Sequence, residues 1–345
     1  MAHSVQGMSI IERWNEPIFI VGAPRSGTTL LRNMLNRHPA IAVCRETVFF
    51  DYVYRRRRTF GDLSESRNRQ RLIKEYLSTQ RIRLLQMDAQ ALEAILLREG
   101  TSYHAFFAAL LRFYAITNAK GRCGEKTPLH ALQTETLCQW YPGARIIHLL
   151  RDPRDVVASL MRMPWADHNV LGNARMWLRC NLAARRSRHR PQYLEMRYEE
   201  LVTRPEQELN RVCAFVGEDY SPTMLVPNQD RTGVLGLPWY QRAEESLTTE
   251  RMGKWREQLT PDESALVEWF VGQHMQTFGY EAVGKPPANQ TIVRDLASAI
   301  GHAVRRRAGE FPAAWYSFVR SRRLVKEEIA KQRFRSRKLT RCADF

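Results

Sequence analysis

None of the six cysteines stands in a CxxC pair or at any zinc-like spacing. That excludes a zinc ribbon or finger, and a chain of 345 residues does not depend on disulfide staples, so the cysteines read as reduced thiols of a cytoplasmic protein. The sequence has no basic start followed by an apolar run and a small-residue cleavage site, which argues against a secretory signal. It also lacks an apolar run of bilayer length. The most apolar helix-like stretch, Ala105 to Ile116, is too short to span and carries Arg112, leaving a chain that is at most peripheral to a membrane. Acidic residues are the scarce sign of charge: 36 Asp and Glu stand against 53 Lys and Arg, a formal net charge of +17 that calls for an anionic partner.

The excess is uneven. Residues 281 to 345 hold 15 basic and 6 acidic side chains, so this last fifth carries more than half of it. Within it Phe311, Trp315, Phe318, Val325 and Ile329 recur at near-helical spacing among Arg320, Arg322, Arg323 and Lys326. One or two basic amphipathic helices are expected there, resting on the body, an acidic partner or an anionic membrane surface. Gly284 to Gln290, with its Lys-Pro-Pro, reads as the linker into this extension.

Elsewhere short buried-strand runs alternate with helical periodicity. Pro17 to Gly22 reads as a strand, then a glycine-containing loop, then a helix through Leu30, Leu31, Met34 and Leu35 that stops at His38-Pro39. Ala40 to Cys44, Arg145 to Leu150 and Tyr193 to Arg197 read as further strands, and residues 52 to 119 as a helical cover. Alternation of this kind predicts an α/β fold with a parallel sheet flanked by helices and a ligand site beyond the carboxyl ends of the strands.

Gly22-Ala-Pro-Arg-Ser-Gly27-Thr28-Thr29 has the glycine spacing of a phosphate loop, in which backbone amides and a helix N-terminus face an anion. Thr28 stands where a nucleoside triphosphatase carries its Lys, and Arg25 supplies a cation from within the loop. Asp152, between Arg151 and Pro153, is a poor metal ligand, so a metal-dependent kinase or nucleoside triphosphatase is disfavoured. A nucleic-acid-binding protein is the other alternative, motivated by charge and unsupported by any zinc, RNA-recognition or helix-turn-helix signature.

The loop Pro24 to Thr29, together with Arg151-Asp-Pro-Arg-Asp155-Val-Val-Ala-Ser159, resembles the sulfotransferases that use 3'-phosphoadenosine 5'-phosphosulfate (PAPS), over roughly residues 15 to 282. The resemblance implies that Arg25, Ser26, Gly27, Thr28 and Thr29 hold the 5'-phosphosulfate and that Arg151 and Ser159 hold the 3'-phosphate. It implies that Tyr198 contacts the adenine, with a buried sheet-edge Tyr as the alternative, and that Gly253 and Lys254 close over the 3'-phosphate. Arg25 to Thr47 lies without a gap against the first motif of the protein-tyrosine sulfotransferases, whose catalytic Glu stands at the offset of Glu46. Glu46 is thus expected to be the general base, with a carboxyl raised by enclosure, and Lys126 and Arg25 to stabilise the leaving phosphate without a metal.

Other members use a His after a Lys-Thr pair. Here Lys126-Thr127 is followed by Pro128, and His130 lies two positions later as the alternative base. The hydroxyl acceptor is left open among lipid, carrier-bound metabolite, glycan and peptide. Phe49, Phe50, Tyr52 and Tyr54 are candidates for an apolar acceptor pocket, and Arg55 to Arg58 for a grip on an acidic glycan or for a basic solvated face. The expected division is a sulfotransferase domain over 1–283 and a basic helical extension over 284–345.

Overall fold

The computed structural model describes residues 16–163, 166, 168–226 and 248–307. Five short strands, β1 (Ile18–Gly22), β2 (Ile41–Cys44), β3 (Arg122–Lys126), β4 (Arg145–Leu150) and β5 (Tyr193–Arg197), form one sheet in the order β2-β3-β1-β4-β5. Every pairing is parallel. Helices cover both faces, so β1 is buried throughout and reads as a continuous apolar run. Its alternate side chains still point opposite ways: Phe19 and Val21 join one core, Ile18 and Ile20 the other.

Among the described residues the helices of nine residues or more are α1 (Thr28–Arg37), α2 (Ser66–Leu77), α3 (Ala89–Glu99), α4 (Tyr103–Thr117), α5 (Pro153–Met161), α6 (Val170–Arg185), α7 (Pro205–Val216), α8 (Pro261–Val271) and α9 (Asn289–Arg307). The expected α/β architecture is therefore present, and the cover over residues 52–119 is helical, in several separate pieces. The chain crosses from β1 to the edge strand β2 and returns to β3 beside β1, while β4 lies on β1's other flank. The order reverses around β1, and the loop that follows it sits at that reversal.

Strand β3 is the one the sequence does not announce. It reads Arg-Cys-Gly-Glu-Lys, yet all five residues are buried. Its charges are matched by partners from distant segments: Arg122 meets Glu16 at 3.0 Å and the Val216 carbonyl at 2.8 Å, and Lys126 meets Glu46. Gly124 is required by close approach, since a Cβ there would lie 2.6 Å from the Ile18 carbonyl oxygen.

The aromatic run after β2 corrects an expectation. Phe49, Phe50 and Tyr52 are buried in the core, Phe49 stacking on Phe107 at 4.4 Å, so they do not line an acceptor pocket; half-buried Tyr54 packs edge-on against Trp140. Of the four arginines that follow, Arg56 pairs with Glu75, and Arg55, Arg57 and Arg58 are exposed.

The segment after α8 folds back on the body. The amides of Val283 and Gly284 both donate to Glu268, and Asp295 of α9 accepts from the Leu171 amide at the start of α6. Phe311, Trp315, Phe318, Val325 and Ile329 lie outside the described residues. Among the described residues no helix is long and apolar enough to cross a membrane.

Replacing Gly124 with Ala is expected to destabilise the chain by about 2 kcal/mol, because the Ile18 backbone of β1 and the Val43 side chain of β2 must both yield. Gly121→Ala, where an added Cβ meets nothing within 4 Å, serves as the control with little change. Urea midpoints at unchanged slope read both.

Candidate active site

The loop from Gly22 to Thr28 turns sharply because two of its residues take left-handed backbone. Gly27 has φ +94°, and a Cβ there would lie 2.4 Å from the Tyr198 ring, so only glycine fits. Arg25, a non-glycine residue, is held at φ +74°. Helix α1 begins at once with Thr28, has no acidic residue in its first turn, and so offers uncompensated amides and a positive dipole end. Ser26 is fully buried within this loop, and its hydroxyl finds no hydrogen-bond partner among the described residues. Thr28 is buried beside it and Thr29 half-buried.

Arg151 leaves the end of β4 and reaches back to the same loop, donating to the Arg25 carbonyl at 3.2 Å. Its guanidinium lies 4.3 Å over the Tyr198 ring, and its buried Nε has no hydrogen-bond partner among the described residues. Arg25 Nε donates to Ser159 Oγ at 3.1 Å, from two turns into α5. Arg25, Arg151, Ser159 and Tyr198 are thus brought to one place, and Tyr198 is a buried ring wedged between Gly27 and Arg151.

The Arg251–Trp255 segment arrives at this cluster through Asp155. That carboxylate accepts from the Gly253 amide and the Trp255 amide, each at 2.9 Å, and lies 3.8 Å from Arg151. Burial pushes the Asp155 carboxyl up, while Arg151 and the two amides pull it down. Arg151 also donates to the Arg251 carbonyl at 2.6 Å. Lys254 is not gathered in: it is partly exposed and pairs with Glu257 at 2.9 Å. Asp152 is occupied as the cap of α5 and as the partner of Arg154.

A second cluster forms at the ends of β2 and β3. Glu46 is bound at both oxygens, by Lys126 Nζ at 2.6 Å and by Arg81 at 3.0 Å, and its side chain is only 13% exposed. Enclosure does not raise its carboxyl as the sequence reading expected. Burial acts upward, but the two cations together outweigh it and hold the carboxyl down at about 2.

His130, the alternative base, is fully buried edge-on to Phe50 and Phe107. Its Nδ1 lies 3.0 Å from Glu125 Oε2 without hydrogen-bond alignment. His38 and His148 are occupied in packing, against the Asp219 carbonyl and against Tyr193 and Asn181.

Sequence reasoning missed Arg81, Asp155 and Glu125. Asp155 stands four residues after Arg151, across the turn from β4 into the first turn of α5, a short spacing that was available as a signal. Arg81 belongs to the short helix Gln80–Arg83, with no local motif to mark it.

With this geometry in view, comparison with known proteins gives one answer. Residues 17–222 match the family described as the sulfotransferase family. The chain is 26% identical over 289 residues to protein-tyrosine sulfotransferase 2 of Gallus gallus, covering 78% of this chain and 71% of that one. It is 28% identical over 207 residues to carbohydrate sulfotransferase 2 of Mus musculus, 45% of this chain and 38% of that one. Among solved structures, the sulfotransferase domain of the Synechococcus PCC 7002 olefin synthase superposes with a TM-score of 0.58 at 25% identity, covering 78% of this chain and 96% of that domain. A phosphate loop without the Lys of a nucleoside triphosphatase, set beside a cationic cluster at the reversal of a parallel sheet, belongs here to an enzyme of the sulfotransferase family.

Proposed function

We propose that the chain transfers a sulfuryl group from PAPS to a hydroxyl acceptor, with Glu46 as general base. One observation carries the reading: the phosphate loop, with its unsatisfied Ser26 hydroxyl, shares a sheet edge with the Lys126–Glu46 pair, because Ile20 of β1 stands in register with Lys126 of β3.

The residues present fit an anionic nucleotide. Among the described residues two buried polar atoms at the loop, Ser26 Oγ and Arg151 Nε, have no hydrogen-bond partner. Ser26, Gly27, Thr28, Thr29 and Arg25 would hold the phosphosulfate end. Arg151 and Ser159 would hold the 3'-phosphate, with Gly253 and Lys254 approaching from the late segment, and Tyr198 would border the nucleoside. When bound, PAPS supplies an activated sulfuryl group on a phosphate leaving group.

This chain's residues then have distinct tasks. Glu46 accepts the proton of the acceptor hydroxyl, and Lys126 and Arg25 offset the charge that gathers on the departing phosphate. These fixed cations supply that stabilisation without requiring a metal. Glu46 is favoured over His130 because it is the one of the two with solvent access.

In this reading residues 1–283 carry the reaction and 284–345 form the basic extension, which serves a partner or an anionic surface. The buried thiols Cys44, Cys138, Cys180 and Cys213 are consistent with a reducing, cytoplasmic setting, peripheral to membranes at most. The relatives' names cover tyrosine and carbohydrate acceptors, and the acceptor proposed here is a hydroxyl of that general kind.

Calorimetry is expected to show saturable binding of PAP, the desulfated nucleotide, much tighter than of ATP. Arg151→Ala should weaken PAP at least about tenfold through loss of charge-assisted hydrogen bonds. Equal affinity for ATP, with a magnesium requirement, would sink the donor assignment.

Glu46→Gln is expected to lower labelled-sulfate transfer at least about 100-fold, in a screen across lipid, glycan, peptide and carrier-bound acceptors, with PAP affinity retained. Retained turnover would move the base to His130.

The Glu46 carboxyl is depressed on folding, so its ion pairs stabilise the native state above its ordinary value of 4.5 and lose that effect as pH falls toward about 2. The stability gap between wild type and Glu46→Gln should therefore be full at neutral pH and shrink across that window in acid melts. A gap independent of pH would contradict the pairing.

A further inference from the structure

Glu46 faces two cations from two different elements. Lys126 comes from the end of β3, one of the strands flanking the phosphate loop, and is 2% exposed. Arg81 comes from the short helix after α2, outside every motif that marks the nucleotide site, and is 9% exposed. Each takes a different oxygen of the carboxylate. Beneath the pair, Glu125 is turned away and spends its Oε1 on Thr47 and Thr127, so Lys126 and Arg81 are the charged groups that set the state of Glu46.

The two cations cannot have the same role once an anion enters the phosphate loop. In the reading above Lys126 serves the leaving phosphate, and as its ammonium turns to that group its hold on Glu46 weakens. Without Arg81 a carboxylate this enclosed would then be governed by burial, which favours its protonated form, and a protonated Glu46 cannot accept a proton from the acceptor. We propose that Arg81 is a positioning residue that keeps Glu46 ionised and aimed while Lys126 turns to the donor. It makes the ion pair that persists when the other is exchanged. This rests on the assignment of Lys126 to the phosphate and of Glu46 as base.

Proton uptake on PAP binding tests it without knowledge of the acceptor. Titrations of the full chain in buffers of different ionisation enthalpy, near about pH 6, count the protons taken up. Subtracting the matching Glu46→Gln value isolates what Glu46 contributes. In the wild type that contribution is expected to be close to zero, because Arg81 holds the carboxylate. In Arg81→Gln, compared with Arg81→Gln/Glu46→Gln, it should rise to about half a proton or more, since Lys126 departs and nothing replaces it. Arg81→Lys, which keeps the charge, should return it toward zero, and Arg81→Met serves in place of Arg81→Gln should the latter fail to fold by circular dichroism.

Tight PAP binding with the same Glu46 contribution in wild type and Arg81→Gln would overturn the role of Arg81 while leaving the sulfotransferase reading intact. Failure of the wild type to bind PAP would overturn both. Turnover by Arg81→Gln on any acceptor that the wild type uses, at an unchanged rate and with an unchanged acidic limb of the pH profile, would also overturn it.

Discussion

The carboxylate of Glu125 is the tie on which the site hangs. It is 1% exposed, near the end of β3, and one of its oxygens accepts from the Thr47 amide at 2.9 Å, the Thr47 hydroxyl at 3.0 Å and the Thr127 hydroxyl. A buried charge left unpaired costs several kcal/mol, so these donors must be in place for the fold to exist. Their consequence is positional. Thr47 follows Glu46 and Thr127 follows Lys126, so the bonds that satisfy Glu125 also set Glu46 and Lys126 opposite one another. Tyr76 secures the Thr47 carbonyl at 2.9 Å from the helical cover, and Val48 accepts a left-handed φ of +50° to complete the turn. The backbone that follows Glu46 is thus held at the Thr47 amide, the Thr47 carbonyl and the turn at Val48.

The basic character of the body takes on a definite meaning against this frame. Many of its cations are spent internally: Arg122 on Glu16, Arg154 on Asp152 and Glu268, Arg185 on Glu195. Those pairs build the fold. The cations that converge on the carboxyl edge of the sheet differ in their contacts. Arg25 rests on a serine hydroxyl, and Arg151 on two carbonyls and an aromatic face, with Asp155 at 3.8 Å.

Much of this was legible. Strands β1 and β4 announce themselves by apolar runs ending in glycine or arginine, and each hands the chain to a helix through a loop whose residue types state their purpose. β3 was hidden because its burial rests on partners remote in sequence: an Arg, a Glu and a Lys in five residues read as surface until Glu16, Thr47 and Glu46 are placed around them. Phe49 and Phe50 misled in the opposite sense, since an aromatic pair next to a catalytic candidate suggests a pocket, and only packing against Phe107 and Trp140 shows that the pair closes the core. The state of Glu46 failed for the same reason as β3. Enclosure was inferred correctly, but its sign depends on which charges share the enclosure, and Arg81 lies 35 positions away with no spacing rule to connect them.

The cations of the site rest on partners of unequal worth. Lys254 holds Glu257 at the surface, where an ion pair contributes about 0–1 kcal/mol, so its transfer to an incoming phosphate costs little. Asp155 holds the Gly253 backbone beside Arg151. Lys126 holds Glu46 in an enclosed site, where breaking a pair costs several times more. On the proposed assignments the nucleotide end fills at little cost, whereas the sulfuryl end exchanges one buried ion pair for another. With Glu46 as the proposed base, a ligand that leaves Lys126 in place keeps that carboxylate pinned by both cations and weak, whereas one that draws Lys126 away strengthens it as a base.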